Sequence, residues 1–356
     1  MAEIDIRRIN LMMGNKCNFK CRYCIQTGNV ADQESKKLSK DTIEYIHHLI
    51  NIRPDYLPKL LISFWGGEPL LYWNIIKQTV SEFGDILDYN IVTNGSLLTQ
   101  DKVDYINEHN ISLVVSNDGP CSEKTRGFNV LEDESFMNLF RQVNHKSVDF
   151  CLSAYNQDLF SLWNYFEDKL GKDINIFYES LTVTWDMPKD LYDFNYEAFE
   201  KTMNDIVDTA YNELLKGKVG RAYLFLDTFV PRVNAFLDGK QIPDIDCCQM
   251  RRMINLDLNG NVYACHNSCH KIGTVVDNFD DIEDNYYASI EASDLSDCDV
   301  CDFRFLCGYG CPYSKPSKGK EACCHIHKLF ILGCLKFAKK IADMTTDVDL
   351  EDSFDI

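Results

Sequence analysis

Residues 17–24 read C-N-F-K-C-R-Y-C, with Cys17, Cys21 and Cys24 in a C-x3-C-x2-C spacing, and the reading of this octapeptide decides the rest of the chain. Three thiolates so close together can hold three irons of a four-iron cluster, which is normally held by four. The fourth iron is then left open, as one position is in a catalytic metal site. An open iron can bind and reduce a small molecule. Two blander uses fit less well. A zinc knuckle shows a second ligand pair nearby, and no further Cys follows before Cys121. A disulfide pair leaves one Cys over and needs an oxidising compartment.

The chain has 356 residues and 16 cysteines, enough for a large core and more than one domain. It opens without an apolar signal region and holds no stretch of 18 apolar residues, which predicts a soluble, cytoplasmic protein with no membrane partner. In that compartment many cysteines point to metal rather than disulfides. Three lie in the first 24 residues and eleven between Cys247 and Cys334; Cys121 and Cys151, between the groups, are expected to be small buried hydrophobes. The formal charge is −19, from 55 acidic and 36 basic residues. Nucleic acid is therefore not an expected partner, since phosphates need clustered Lys and Arg. An acidic surface suits a basic peptide, although it also serves solubility alone.

From residue 4 to about 215 strand-like and helix-like segments alternate. Short apolar runs predict strands at 6–13, 60–65, 89–93, 111–116, 148–154 and 174–183, as in a buried parallel sheet. Helical patterns fall at 40–52, 72–83, 99–108, 135–144 and 159–169, and six βα units in a row imply right-handed crossovers. Pattern alone leaves open sheet and partial barrel undecided. Four polar or glycine-rich loops follow the first four strands: the cysteine run, Gly66-Gly67-Glu68-Pro69, Thr93-Asn94-Gly95 and Ser116-Asn117-Asp118-Gly119-Pro120. In a parallel sheet all four open on one face. A longer helix is expected at 194–216, and an acidic, frayed tail beyond Lys340.

The cysteine run, with Tyr23 before its last Cys, resembles the signature of the radical S-adenosylmethionine (radical SAM) enzymes. The resemblance implies a SAM whose amino and carboxylate groups chelate the open iron and which is cleaved to a 5′-deoxyadenosyl radical. It also implies a partial (β/α)6 TIM-like barrel, with the chemistry at the C-terminal ends of the strands. Gly66-Gly67-Glu68 resembles the family's GGE motif, whose glycines let backbone carbonyls and a carboxylate approach the SAM ammonium; a tight turn with Pro69 at a helix start is the plain alternative. Ser116-x-Asp118-Gly119-Pro120 resembles the fourth-strand motif of the peptide-modifying branch. On that likeness Tyr23, Gly66, Gly67, Glu68, Ser116 and Arg126 form the SAM site, with Arg126 on the SAM carboxylate or else a solvated loop residue. Asn117 departs from the apolar residue usual there.

Residues 298–311 read C-D-V-C-D-F-R-F-L-C-G-Y-G-C, preceded by Cys247, Cys248, Gly260 and Cys265 and followed by Cys323-Cys324. The order is similar to that of the SPASM domain, an auxiliary-cluster extension of peptide-modifying radical SAM enzymes. The likeness implies one auxiliary cluster on Cys247 or Cys248, Cys265 and Cys311, with Cys269 or an open iron completing it. A second would sit on Cys298, Cys301 and Cys307, closed by Cys324, with Cys323 and Cys334 as alternatives. That makes three [4Fe-4S] clusters, one of them binding SAM. Zinc suits C-x2-C pairs equally well, so a non-catalytic metal-binding module is the reading from another class. Locally, 254–258, Asn259-Gly260 and 261–265 read as a hairpin with a type I′ turn. The implied domains are a barrel at 1–216, a bridge at 217–246, a SPASM domain at 247–335 and a tail at 336–356.

Such an enzyme is an oxidoreductase acting on a peptide or protein, supplied with electrons by a partner such as a flavodoxin or ferredoxin. Two substrates follow from the resemblance: a ribosomally made precursor peptide that gains a thioether, ether or carbon–carbon crosslink, or a sulfatase whose Cys or Ser becomes formylglycine. In the sulfatase-maturing branch an Asp follows the Cys equivalent to Cys265 and acts as base. His266 stands there in this chain, which favours the peptide and leaves His266 as a candidate base or else a strand-end surface residue. With 16 residues ahead of Cys17, leader recognition is expected on the barrel, on the SPASM face or on a separate protein.

Overall fold

The computed structural model describes residues 5–26, 36–54, 56–183, 187–237, 250–267, 270–293, 295–308, 310–314 and 316–346. Its centre is one sheet of nine strands in the order β6-β5-β4-β3-β2-β1-β7-β8-β9. Strands β1 (Arg8–Met12), β2 (Leu61–Trp65), β3 (Asp88–Thr93), β4 (Ser112–Ser116), β5 (Lys146–Leu152) and β6 (Asn175–Ser180) are sequential neighbours, all parallel. Between them run α1 (Lys40–Ile52), α2 (Trp73–Phe83), α3 (Gln100–Glu108), α4 (Ser122–Arg126), α5 (Glu134–Phe140) and α6 (Leu159–Leu170). This is the mixed α/β architecture with a parallel sheet expected from the alternation of segments, and it fits the partial barrel that the resemblance implies. Side-chain caps set the helix starts: Ser39 Oγ accepts from Thr42 N on α1, and Asp158 from Ser161 N on α6.

The strands are not apolar throughout, as buried parallel strands were expected to be. Ile9, Leu11, Ile62, Phe64, Ile91, Leu113, Val115, Val148 and Phe150 are all essentially inaccessible and belong to the main apolar core. Many of the intervening positions are polar, though Met12, Trp65, Val92, Val114 and Phe177 are not. Parallel register puts Asn255, Asn10, Ser63, Asn90 and Ser112 in one row across five strands, and Ser116, Asp149 and Phe177 in another. A two-residue period then gives one apolar face and one polar, concave face.

Beyond the barrel, α7 (Tyr196–Leu214), α8 (Arg221–Asp227) and α9 (Val230–Leu237) follow. The chain returns as β7 (Met253–Asp257), which pairs in parallel with β1 from Arg8↔Met253 to Met12↔Asp257. The C-terminal cysteine-rich segment is therefore stitched to the barrel through a shared sheet. β8 (Asn261–Tyr263) and β9 (Lys271–Thr274) continue as an antiparallel meander. The hairpin is where the sequence puts it, but its turn differs. Only Gly260 takes a positive φ, of 83°, and its N–H donates to Asp257 O at 3.2 Å. A type I′ turn needs two such residues. Asp257 is the cause: its carboxylate accepts from Asn259 N (2.8 Å), Asn261 N (2.9 Å), Asn261 Nδ2 (2.7 Å) and Tyr263 Oη (3.1 Å).

The chain ends in α10 (Phe279–Glu291), two short turns α11 (Ser296–Asp299) and α12 (Arg304–Cys307), and the long α13 (Lys318–Thr346). Helix α13 seats on α7, where a side chain at Gly333 would meet Met203 at 2.7 Å. It runs through residues 335–336 and past Lys340, so the start of the expected tail is helical.

Candidate active site

The first four parallel strands deliver their loops to one face, and those loops are hydrogen-bonded to one another. Met13 N donates to Trp65 O (2.8 Å), Gly67 N to Gly14 O (2.8 Å) and Glu68 N to Lys16 O (2.9 Å). This zips the Gly-Gly-Glu loop to the entry of the cysteine loop. Both glycines are needed for the zip. A Cβ on Gly66, whose φ is 147°, would meet Gly14 O at 2.6 Å, and one on Gly67 would meet Asn15 O at 2.6 Å. Such approaches are closed to any residue with a side chain.

Glu68 is fully buried. Its Oε1 accepts from Leu70 N (2.9 Å) and Thr93 Oγ1 (2.6 Å), and its Oε2 from Asn94 N (2.8 Å). Three of roughly four acceptor positions of the carboxylate are thereby used, and Glu68 ties the second loop to the third. Burial raises its pKa, opposed by the bonds from Thr93, Asn94 and Leu70. Asn94 carries the contact onward: its Nδ2 donates to Asn18 Oδ1 (3.0 Å) and lies 3.9 Å from Cys17 Sγ. Phe19 N also donates to Cys17 Sγ, at 3.3 Å.

The far end of the cysteine loop is fixed by Asp118. This fully buried carboxylate accepts from Tyr23 Oη (2.7 Å), Thr125 Oγ1 (2.5 Å) and Cys151 N (3.1 Å). It is also paired with Arg126, Nε and Nη2 each standing 3.1 Å from a carboxylate oxygen, and the guanidinium lies over the Tyr23 ring at 5.4 Å. Arg126 is thus not a solvated loop residue. Burial opposes its charge, but Asp118 first and then Tyr23 and Cys21 outweigh it and hold its pKa well above the ordinary value. Burial likewise raises Tyr23. Arg22 N donates to Thr125 O (2.8 Å), and its guanidinium pairs with Asp190 (2.8 Å). Asn117, the departure from the family pattern, is buried and satisfied by Asn129 (2.8 Å) and Gly119 N (2.9 Å).

The donor set suits a cluster. Burial comes first in raising the thiols of Cys17 and, to about 12, Cys21; Glu68 and Cys24 raise Cys17 further, and Cys24, Asp118 and Cys17 raise Cys21. Metal binding displaces such protons outright. Among the described residues no three His, Cys, Asp or Glu side chains are placed to hold a single metal ion. The concave face behind this loop carries Asp149 and Glu179 on neighbouring strands. Burial raises both, Asp149 further through Glu179, and Arg126 and Arg8 oppose the rise.

Cys298 on α11, Cys301 after it and Cys324 on α13 all act electrostatically on Cys307 of α12. Burial and then Cys324, Cys298 and Cys301 push Cys307 up to about 12, and Cys324 is raised by burial and then by Cys298. The alternatives for the last position sit elsewhere. Cys323 packs on the small apolar cluster of Leu181, Val183, Met187 and Leu191, and Cys334 is sealed in the main core. Cys265 is buried and accepts from Asn267 N (3.3 Å), and Cys311 is half-buried. Cys247, Cys248 and Cys269 lie outside the described residues.

His266 is enclosed. Its ring meets Trp65 edge-on at 4.5 Å, Nδ1 lies 3.4 Å from Asn10 Nδ2 and Nε2 3.1 Å from Asn267 Nδ2. Burial, then the Arg8 charge, pushes its pKa down to about 3. A ring so firmly neutral is a weak base at neutral pH, contrary to the proton-accepting role expected from its position.

Asn94, Asp118, Thr125, Asp149 and Glu179 are the site residues to which sequence reasoning gave no role. A signal existed for two: Asp149 and Glu179 are carboxylates flanked by apolar or aromatic residues within strands, Val148 and Phe150 around Asp149 and Tyr178 before Glu179.

Residues 11–135 match the Radical SAM superfamily. Over those residues the chain carries a radical SAM domain. It is 24% identical to the radical SAM cyclopropyl synthase TigE of Paramaledivibacter caminithermalis, over 95% of this chain and 75% of that protein. It is 22% identical to a serine-type anaerobic sulfatase-maturating enzyme of Bacteroides thetaiotaomicron, over 86% of this chain and 82% of the other. Among solved structures, anSMEcpe with bound AdoMet and Cp18Cys peptide superposes with a TM-score of 0.67 at 17% identity, over 95% and 99% of the two chains. Streptococcus suis SuiB bound to its precursor peptide SuiA gives 0.58 at 15% identity, over 89% and 76%. These two likenesses show the fold. No helix among the described residues is long and apolar enough to cross a membrane.

Proposed function

We propose that this protein matures a ribosomally made peptide by radical crosslinking. Cys17, Cys21 and Cys24 would hold the SAM-binding cluster, and the C-terminal cysteines would hold auxiliary clusters in a SPASM arrangement. When bound, the cluster and SAM supply a carbon radical that removes a hydrogen atom from the substrate. The chain's own residues position and enclose. Gly66 and Gly67 let two loops close on each other, Glu68 and Asn94 fix the Cys17 end, and Asp118 fixes the Tyr23 end and holds Arg126 charged. Ser116 and Arg126, at the fourth strand, are the side chains assigned to SAM.

The observation that favours a peptide over a sulfatase is His266. It stands where the sulfatase-maturing branch has its Asp, and burial, then the Arg8 charge, pushes its pKa down to about 3, which weakens it as a base. The likeness to a cyclopropyl synthase, whose name denotes carbon–carbon ring closure, over 95% of this chain and 75% of that protein, supports the same reading. The acidic chain suits a basic peptide.

The test is anaerobic incubation of reconstituted, reduced protein with SAM and candidate precursor peptides, read by mass spectrometry. Formation of 5′-deoxyadenosine with loss of two hydrogen atoms from a peptide, and no aldehyde trapped by a hydrazide, supports crosslinking. A trapped aldehyde on a sulfatase peptide would replace this reading with formylglycine formation. Absence of 5′-deoxyadenosine from protein that carries zinc would leave a metal-binding module.

A further inference from the structure

Lys320, in the first turn of α13, is 7% exposed, and its Nζ is buried without a hydrogen-bond partner. An ammonium taken out of water without a partner is costly, and native proteins pair such groups. None of the described carboxylates meets this one. Cys324, one of the four cysteines assigned to the second auxiliary cluster, stands four residues further along α13, one turn away on the same helix face. Two other cations reach the same group but are engaged. Arg232 donates from Nε to Leu306 O at 2.6 Å, and Lys328 lies over the Phe303 ring at 5.8 Å.

We propose that Lys320 is the charge partner of an iron–sulfur cluster held by Cys298, Cys301, Cys307 and Cys324, and that it raises that cluster's reduction potential. The proposal rests on the cluster reading of this site given above. Four thiolates leave such a cluster negatively charged, and reduction adds one electron with no proton or leaving group. A buried ammonium at the sulfurs stabilises the more negative, reduced form more than the oxidised one. Charge and hydrogen bonds at the sulfurs are among the features that set these potentials. Lys320 is thus a tuning residue that acts through the cluster and touches no substrate.

The experiment is a redox titration, followed by electron paramagnetic resonance, of anaerobically reconstituted protein carrying Cys17, Cys21 and Cys24 as Ala, so that only auxiliary clusters contribute. Lys320→Met is expected to make one auxiliary potential more negative by about a tenfold change in the reduction equilibrium, about 59 mV for a one-electron couple. Lys320→Arg should keep the potential near the parent's, and Lys328→Met should shift it less than Lys320→Met. Should Lys320→Met fail to retain iron at this site while Lys320→Arg retains it, the need for charge is upheld. Iron lost equally from both would make Lys320 a packing residue and overturn the proposal, as would an unshifted potential in Lys320→Met with full iron. Neither SAM nor peptide enters the measurement, so failure of crosslinking leaves it readable. Zinc in place of iron at these cysteines would instead remove the cluster reading itself.

Discussion

Replacing Asp118 with Asn tests whether one carboxylate fixes the cysteine loop. Asp118 and Arg126 form a buried pair, their side chains 0% and 10% exposed. Asn is nearly the same shape but removes the charge, and its single amide oxygen cannot serve both the donors at Oδ2, Tyr23 and Thr125, and those at Oδ1, Arg126 and Cys151 N. Arg126 would remain charged and buried. Breaking a buried pair from one side typically costs about 3–5 kcal/mol, because the surviving charge is left uncompensated. The assay is urea unfolding of the reconstituted protein, followed by aromatic fluorescence, within a double-mutant cycle with Arg126→Met. Asp118→Asn should lose stability in that range, and the double variant should recover part of it because no bare guanidinium remains. A loss in Asp118→Asn below about 1 kcal/mol, the scale of an exposed pair, or a double variant that merely adds the two single losses, would refute the pairing as the source of order.

Gly67→Ala places a methyl against the backbone of Asn15 and Lys16, so it should lower iron at the first site as well as SAM affinity; full iron with weakened SAM would make the glycine a matter of ligand access alone. Cys324→Ala should remove roughly four irons, one cluster's worth, while Cys323→Ala should leave iron content unchanged. Burial, and then Arg232, push His327 down to about 4. The unfolded chain takes up a proton near pH 6.5 that the folded chain refuses, so stability falls as pH drops from about 6.5 to 4, by up to about 1.4 kcal/mol per pH unit. Comparing urea midpoints at pH 7 and pH 5, His327→Gln should lose less stability than the parent; equal losses would mean His327 is protonated in the fold.

The fold was legible because its signals are local. Strand positions, crossover helices and loop order follow from apolar runs and glycine punctuation, and the structure moves their boundaries by only a few residues. The hairpin turn was misread for an equally local reason: Asn259-Gly260 signals one turn type, while the Asp257 carboxylate two residues earlier gathers the donors that select another. The pairing of β7 with β1 could not be read. It joins residues some 245 apart, as Asn10 and Asn255 are, and no periodicity within either strand names the other as its neighbour.

The site divides along the same line. Motif residues announce that a function is present, but their division of labour is set by contacts across loops. Gly66 and Gly67 stand out in the sequence as room for a ligand, yet the nearest occupant of that room is the chain's own backbone at residues 14–16. Glu68 reads as a ligand-binding carboxylate, yet three of its acceptor positions are filled by the protein. Asp118, which no local rule distinguishes from a turn aspartate, gathers side chains from the first and fourth loops and a backbone N–H from the fifth strand. Around the open side of the barrel, then, the signature residues do much of their work on one another. A substitution there should show first in cluster assembly and only through it in SAM cleavage, and for that reason iron has to be counted before turnover in every variant of these loops.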